Sequence, residues 1–312
     1  MEKNVTAVRV FILLGFQASQ TLEGFMFFPL VVVYCFTILM NLLIIALVST
    51  SKNLHTPMYF FLTQLSMNDI ILPTDIAPNI LYILIYHRGS ITFVGCMIEI
   101  FFFGFSEASE CLLLTVMSYD RYVAICNPLR YTSIMTSTYC VILAVTSWFI
   151  GFCIPQFVIP TILQLNFCGP NIIDHFFCDL VPLLELSCSD TYVIQIEFLI
   201  FSIPLILIPV IIIIFSYTKI IVTTLRIPSN TGRQKAFSTC SSHLIVVSIF
   251  YWTIFGVYVL PTKGKSSTIS KILSLLYTVF TPLINPIIYS LKNNDIKETI
   301  KTQVLKHLRR SR

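Results

Sequence analysis

Residues 96–126 read CMIEIFFFGFSEASECLLLTVMSYDRYVAIC, an apolar run that lasts to Tyr119 and closes on Asp120, Arg121 and Tyr122. Hydrocarbon solvates neither backbone N–H nor C=O, so roughly 20 apolar residues cross a bilayer only as a helix that satisfies its own hydrogen bonds. Around this run lie others of similar length: Phe25 to Ser49, Pro57 to Ile80, Thr138 to Pro160, Ile196 to Ile220, Ala236 to Leu260 and Thr268 to Leu291. The fold expected is all-α, a seven-transmembrane helix bundle in a single domain over residues 1–312. It divides into an extracellular segment 1–24, the bundle 25–291 and a cytoplasmic tail 292–312.

Composition agrees. The chain is 56% hydrophobic and 11% charged, where a soluble domain carries about 25% charged residues. Little remains beyond seven spans, so no soluble catalytic domain is expected, and no nucleophile, metal cluster or phosphate cradle marks an enzyme. Basic residues favour cytoplasmic loops. With the N-terminus outside, fourteen of the 20 Lys and Arg fall on cytoplasmic segments and six on outer ones; without the tail the balance is seven to six. The net charge of +5 thus reflects topology, and a nucleic-acid partner is not expected.

The Phe11 to Phe16 run is short for a signal-peptide core, lacks a convincing cleavage site and is followed by polar residues, so the first span is expected to act as its own insertion signal. Asn4-Val5-Thr6 is a glycosylation sequon on the outer side. In the tail, Ile296, Ile300, Val304 and Leu308 recur every four residues among Lys297, Lys301, Lys306 and Arg309. That pattern suits a short amphipathic helix on membrane lipid.

Four of the ten cysteines, Cys96, Cys168, Cys178 and Cys188, fall outside, where oxidation favours two disulfides with three pairings open. At membrane depth Asp69, Glu107 and Glu110 each need a partner or a cavity, and Asn41 and Asn285 add further polar groups. Asp69, Glu110 and Asn285 can surround a sodium ion or a water cluster, or hydrogen-bond one another as polar glue that fixes helix register. No other cofactor is expected.

Five blocks in order then carry a family resemblance: Leu54-His55-Thr56-Pro57-Met58-Tyr59-Phe60-Phe61-Leu62; Met117 to Cys126, with Ser118 in place of Ala; Ser216-Tyr217; Lys235 to Leu244; and Pro282-Leu283-Ile284-Asn285-Pro286-Ile287-Ile288-Tyr289-Ser290. The chain resembles the rhodopsin-like G-protein-coupled receptors, specifically the vertebrate odorant receptors. The resemblance implies Cys96–Cys178 and Cys168–Cys188 bridges and a structural water or sodium site at Asp69 and Glu110. It also implies a small-molecule odorant, a stimulatory heterotrimeric G protein of the olfactory type, cyclic AMP as messenger and a plasma-membrane location.

By the same resemblance Asp120, Arg121 and Tyr122 form the coupling motif. On activation Arg121 leaves Asp120 for Tyr217 and the G protein, while Asn285, Pro286 and Tyr289 rearrange and Tyr251 links the pocket to the sixth span. One departure stands out. Between Lys219 and Lys235 there is no acid to pair with Arg121, and Arg233 lies near that position, so basal signalling is expected.

Counting helical turns outward from these motifs places Phe103, Gly104, Glu107, Ala108, Phe201, Leu205, Tyr251, Phe255, Tyr258, Leu275 and Thr278 on the cavity side. Their apolar and aromatic character suits small lipophilic molecules. Glu107 is unusual for the family: it either meets an amine-bearing or hydrogen-bond-donating odorant or stays neutral on a neighbouring acceptor. The acids of the loop after the fourth span, Asp174, Asp179, Glu185 and Asp190, either draw cations or are simply solvated. The competing function is an ion-coupled membrane transporter with the buried acids as its pathway, although paired repeats and broken helices are not evident.

Overall fold

The computed structural model describes residues 9–168, 170–259 and 267–310, excluding the side chains of 231–232, 235–239, 257–259, 267, 292, 294 and 304–310. Asn4 and the Tyr258 side chain therefore lie outside the described residues. The long helices are α1 (Gln20–Thr50), α2 (Pro57–Tyr86), α3 (Phe93–Cys126), α4 (Ser137–Ile162), α5 (Tyr192–Leu225) and α6 (Asn230–Val259). Next, α7 joins Ser267–Leu275, a π-helical turn Leu276–Phe280 and Thr281–Lys292, and α8 follows at Asn294–Arg310.

Each span outruns the apolar stretch that marks it in the sequence. α3 and α5 hold 34 residues apiece, which at 1.5 Å rise is about 51 Å against roughly 30 Å of hydrocarbon. Hydropathy alone ends the third span at Tyr119 instead of Cys126 because the next two residues, Asp120 and Arg121, are charged. Thr92 and Thr136 cap α3 and α4 by accepting the amides of Gly95 and Tyr139. α1, α2, α3, α4, α5 and α7 are long and apolar enough to cross a membrane, and the apolar part of α6 is Cys240–Gly256.

α3 is the axis of the bundle and touches α2, α4, α5 and α6. α3 and α4 approach closely where Gly151 meets α3: a Cβ there would stand 2.1 Å from Ser109 Oγ. α5 by contrast exposes Ile200, Leu207, Ile211, Ile214 and Phe215. Such a continuous apolar face is stable in lipid and unusual in water. Within α5, Pro209 has no amide hydrogen for the carbonyl of Leu205. The Cys111 thiol of α3 donates to that carbonyl at 3.0 Å instead, tying the two helices together.

At the end of the bundle where the chain enters, here the N-face, three strands form a sheet that helical periodicity does not announce. β1 (Val10–Leu13) lies between β2 (Gly89–Thr92) and β3 (Ile172–Ile173), antiparallel to the first and parallel to the second. Phe11 and Leu13 point inward and are fully buried, with Phe11 against Phe93 and Phe167. Gly15 follows at φ 64, its α-carbon so close to Ile83 that a Cβ would stand 2.4 Å from Cγ2. Within the described part of the N-terminal segment, β1 is part of the roof and α1 begins at Gln20. Two alternating buried residues are too short a pattern to read without partners some 80 and 160 residues away.

At the opposite end, the C-face, α8 docks on the bundle. Tyr59 O–H lies 2.9 Å from Asn293 Oδ1 and 3.0 Å from Asp295 Oδ2, and Ile296 is buried. Ile300 also packs against the core. The tail stripe expected to face lipid thus turns its first two members toward protein, because the bundle offers them a fixed apolar surface. The side chains of Val304 and Leu308 lie outside the described residues.

Candidate functional site

Two disulfides, Cys96–Cys178 and Cys168–Cys188, hold the loop after α4 over the N-face. Cys178 N–H also donates to Glu99 Oε2 at 2.8 Å, and Asn79 Nδ2 donates to Glu99 Oε1 at 2.9 Å. Glu99, 2% exposed, is a buried acid that the sequence reading passed over, because its partners are a loop amide and a side chain of α2. Of the loop acids, Asp174 is neither free nor merely solvated. It lies 2.6 Å from both Lys271 Nζ of α7 and Gln17 Nε2. Next to it His175 is buried among Phe176 and Phe177, and both ring nitrogens have no hydrogen-bond partner among the described residues. Burial first, and then the charge of Lys271, lower its pKa to about 3.

Beneath this roof lies a cavity of about 70 Å³ lined by α3, α4, α5 and the loop. Phe103, Gly104 and Glu107 line it. Ile154, Pro155, Val158 and Ile159 of α4, Phe198 of α5 and Asp179 of the loop also line it. The α4 residues escape a count of turns on α3, α5, α6 and α7 because such a count carries no information on how closely α4 approaches. Phe198 lies one turn beyond Phe201, where the count on α5 stops, and Asp179 stands in a loop to which helical counting does not apply. Of the other candidates, Ala108 is packed inside the bundle and Phe201 stacks on Phe157 at 5.4 Å. Leu275 packs against the core, while Thr278 is buried and donates to Ser274 O. Phe255 departs from expectation: it is 48% exposed beside Trp252, on a side of α6 turned away from the core residues Phe250 and Ile254. The phase of α6 explains this, since those two residues face inward.

A chain of ring contacts runs from the loop toward α6. Phe177 meets Phe103 at 5.3 Å, Phe103 meets Tyr277 at 6.0 Å, Tyr277 meets Phe250 at 6.0 Å, and Phe250 meets Tyr251 at 5.1 Å. Tyr251 O–H in turn lies 3.1 Å from Cys111 Sγ, whose other contact is the Leu205 carbonyl. α3, α5 and α6 therefore meet at one thiol.

Deeper in the bundle Asn285 Nδ2 donates to both Asp69 oxygens, at 3.1 and 3.2 Å, and to Glu110 Oε1 at 3.4 Å. Asn68, another residue not anticipated, donates to Glu110 Oε2 at 3.3 Å. Asn41 stands apart from the acids, donating to the Thr37 and Pro282 carbonyls and so joining α1 to α7. The buried oxygens Asn285 Oδ1 and Asn68 Oδ1 have no hydrogen-bond partner among the described residues. Hard oxygen donors beside two carboxylates fit a sodium ion.

On the C-face Asp120 is fully buried. Its Oδ2 accepts from Arg121 Nε at 2.9 Å and its Oδ1 from Tyr131 O–H at 2.8 Å. Burial, and then the Asp120 charge, push the Tyr131 phenol well above its ordinary range, so it remains a donor. Tyr217 is paired with His243 of α6 at 2.5 Å. Tyr122 packs toward Phe215, Pro286 lies inside the last stretch of α7, and the Tyr289 side chain is fully buried. Arg233 turns back to the Ile227 carbonyl at 3.1 Å.

A sequence profile of the olfactory receptor family matches residues 30–307. Olfactory receptor 10A7 of Homo sapiens is 45% identical over 302 residues, 97% of this chain and 96% of that one. Olfactory receptor 5AP2 of Mus musculus is 44% identical over 299 residues, 96% and 94% of the two chains. The fold is similar to that of squid rhodopsin, with a TM-score of 0.72 at 16% identity over 91% of this chain and 81% of the other.

Proposed function

Because this chain belongs to the olfactory receptor family, a family of rhodopsin-like G-protein-coupled receptors, we propose that it detects small, mostly lipophilic odorants and raises cyclic AMP through a stimulatory heterotrimeric G protein. It is a multi-pass membrane receptor and not an enzyme. The Lys and Arg bias favours the N-face outside and the C-face in the cytoplasm of a plasma-membrane protein, with Asn4 glycosylated and α8 resting partly on inner-leaflet lipid. The transporter reading has no support from the family.

The observation that carries the mechanism is the double hold on the C-face: Arg121 rests on Asp120 and Tyr217 on His243. A ligand shifts an equilibrium only by its differential affinity for two states. An agonist under the roof acts on Phe103, and the ring contacts pass the change to Tyr251 and α6. As α6 moves away, Tyr217 is freed for Arg121, and a groove opens for the G protein, with Asn285, Pro286 and Tyr289 adjusting beside it. Asp69 and Glu110, with the Asn285 and Asn68 oxygens, would hold a sodium ion or water in the resting state. The ion would balance two acids that hydrocarbon cannot solvate.

Agonist-dependent cyclic AMP in cells, compared between wild type and Arg121→Ala at equal surface expression, tests this. Loss of the response in the variant is expected. A response that survives, or substrate flux without a G protein, overturns it.

A further inference from the structure

The cavity beneath the roof has a charge balance that names a ligand class more closely, an inference that rests on the receptor reading above. The charged residues described in its lining are Glu107 from α3 and Asp179 from the loop, both acids; the remainder are apolar, save for Cys178, which is held in its disulfide. Asp179 is 9% exposed. Its Oδ1 accepts the Leu180 amide at 2.7 Å, yet among the described residues no cation forms an ion pair with it. Its loop neighbour Asp174 shows the contrast, being matched by Lys271. Burial raises the Asp179 pKa to about 6, so its charge is held at a cost that an ammonium group would offset.

Size adds a second constraint. A cavity of about 70 Å³ is well below the roughly 300 Å³ or more of drug-sized pockets, which favours a ligand of few heavy atoms.

We infer that this cavity selects short primary amines, with the ammonium between the Glu107 and Asp179 carboxylates and a chain of few carbons against Phe103, Val158 and Phe198. An ammonium offers three donors and a full charge, and its hydrogen bonds to carboxylates are about twice as strong as neutral ones. An alcohol of the same length offers one neutral donor. A carboxylic acid is repelled.

Cyclic AMP dose–response curves in cells expressing the full chain test this, with butylamine, 1-butanol and butyric acid as probes. Butylamine is expected to activate wild type, and Glu107→Gln and Asp179→Asn to raise its half-maximal concentration about tenfold or more. Unchanged butylamine curves in both variants, or activation by 1-butanol or butyric acid without butylamine, overturn the assignment. If no probe activates while Arg121→Ala still removes basal output, the amine assignment falls and the receptor reading stands; if Arg121→Ala changes nothing, the receptor reading falls as well. Should an acid variant fail to reach the surface, Gly104→Ala decides. Its added methyl, 3.3 Å from Pro155, narrows the cavity. A preference moved from butylamine toward ethylamine is expected, and no movement overturns the proposal.

Discussion

Tyr217 O–H and His243 Nδ1 lie 2.5 Å apart, with stacked rings whose centroids are 5.9 Å from each other, and both side chains are buried between α5 and α6. No acid is present between Lys219 and Lys235 to bind Arg121 across helices. This neutral bond is therefore a restraint that keeps α6 against the bundle.

His243→Phe removes the restraint and retains the bulk. One neutral hydrogen bond contributes about 0.5–1.5 kcal/mol, so basal cyclic AMP per surface receptor should rise roughly two- to tenfold. Tyr217→Phe loses the resting contact and the proposed active one together, and should not show this rise. Equal basal output in His243→Phe and wild type would sink the argument.

Asp120→Asn leaves the geometry but takes the charge from Arg121 and from the Tyr131 bond. Charge-assisted bonds contribute roughly twice as much as neutral ones, so basal output should climb by about fivefold or more. Unchanged basal signalling at matched expression would count against the local contact as a lock.

Gly151→Ala tests the α3–α4 approach. Its methyl would collide with Ser109 Oγ and crowd the Phe105 carbonyl. Overpacking of this kind costs about 1–3 kcal/mol, so thermal stability and surface expression should fall, and adding Ser109→Ala should restore part of the loss. A fully stable single variant would contradict the packing described.

Acidification should weaken the roof through His175. The folded chain keeps this ring neutral down to about pH 3, whereas an unfolded histidine takes its proton near pH 6.5. Stability is therefore present above 6.5 and lost as pH falls below it, by roughly 1.4 kcal/mol per unit. Asp179, with its pKa raised to about 6, works in the opposite sense, since the folded state takes up a proton before the unfolded one does. It does so equally in His175→Gln. Unfolding midpoints of purified protein at pH 7.5 and 5.5 should therefore show a larger acid loss in wild type than in His175→Gln; equal losses would refute the role given to His175.

The class of the molecule, its seven spans and the C-face motif follow from sequence, because lipid imposes one rule on every residue of a span and the rule is local. Asp120 beside Arg121 is legible for the same reason: the partners are adjacent. Glu110 and Asn285 are legible as types, since polar groups at membrane depth are rare. Tertiary structure alone brings them to a shared amide, adds Asn68 and assigns Asn41 to a backbone carbonyl instead. It also turns Phe255 outward, sets Asp179 and α4 around the cavity, and folds residues 10–13 into the roof. These outcomes depend on helix rotation and on contacts between distant segments. Hydropathy measures how much a residue avoids water, and contains nothing about which neighbour it meets.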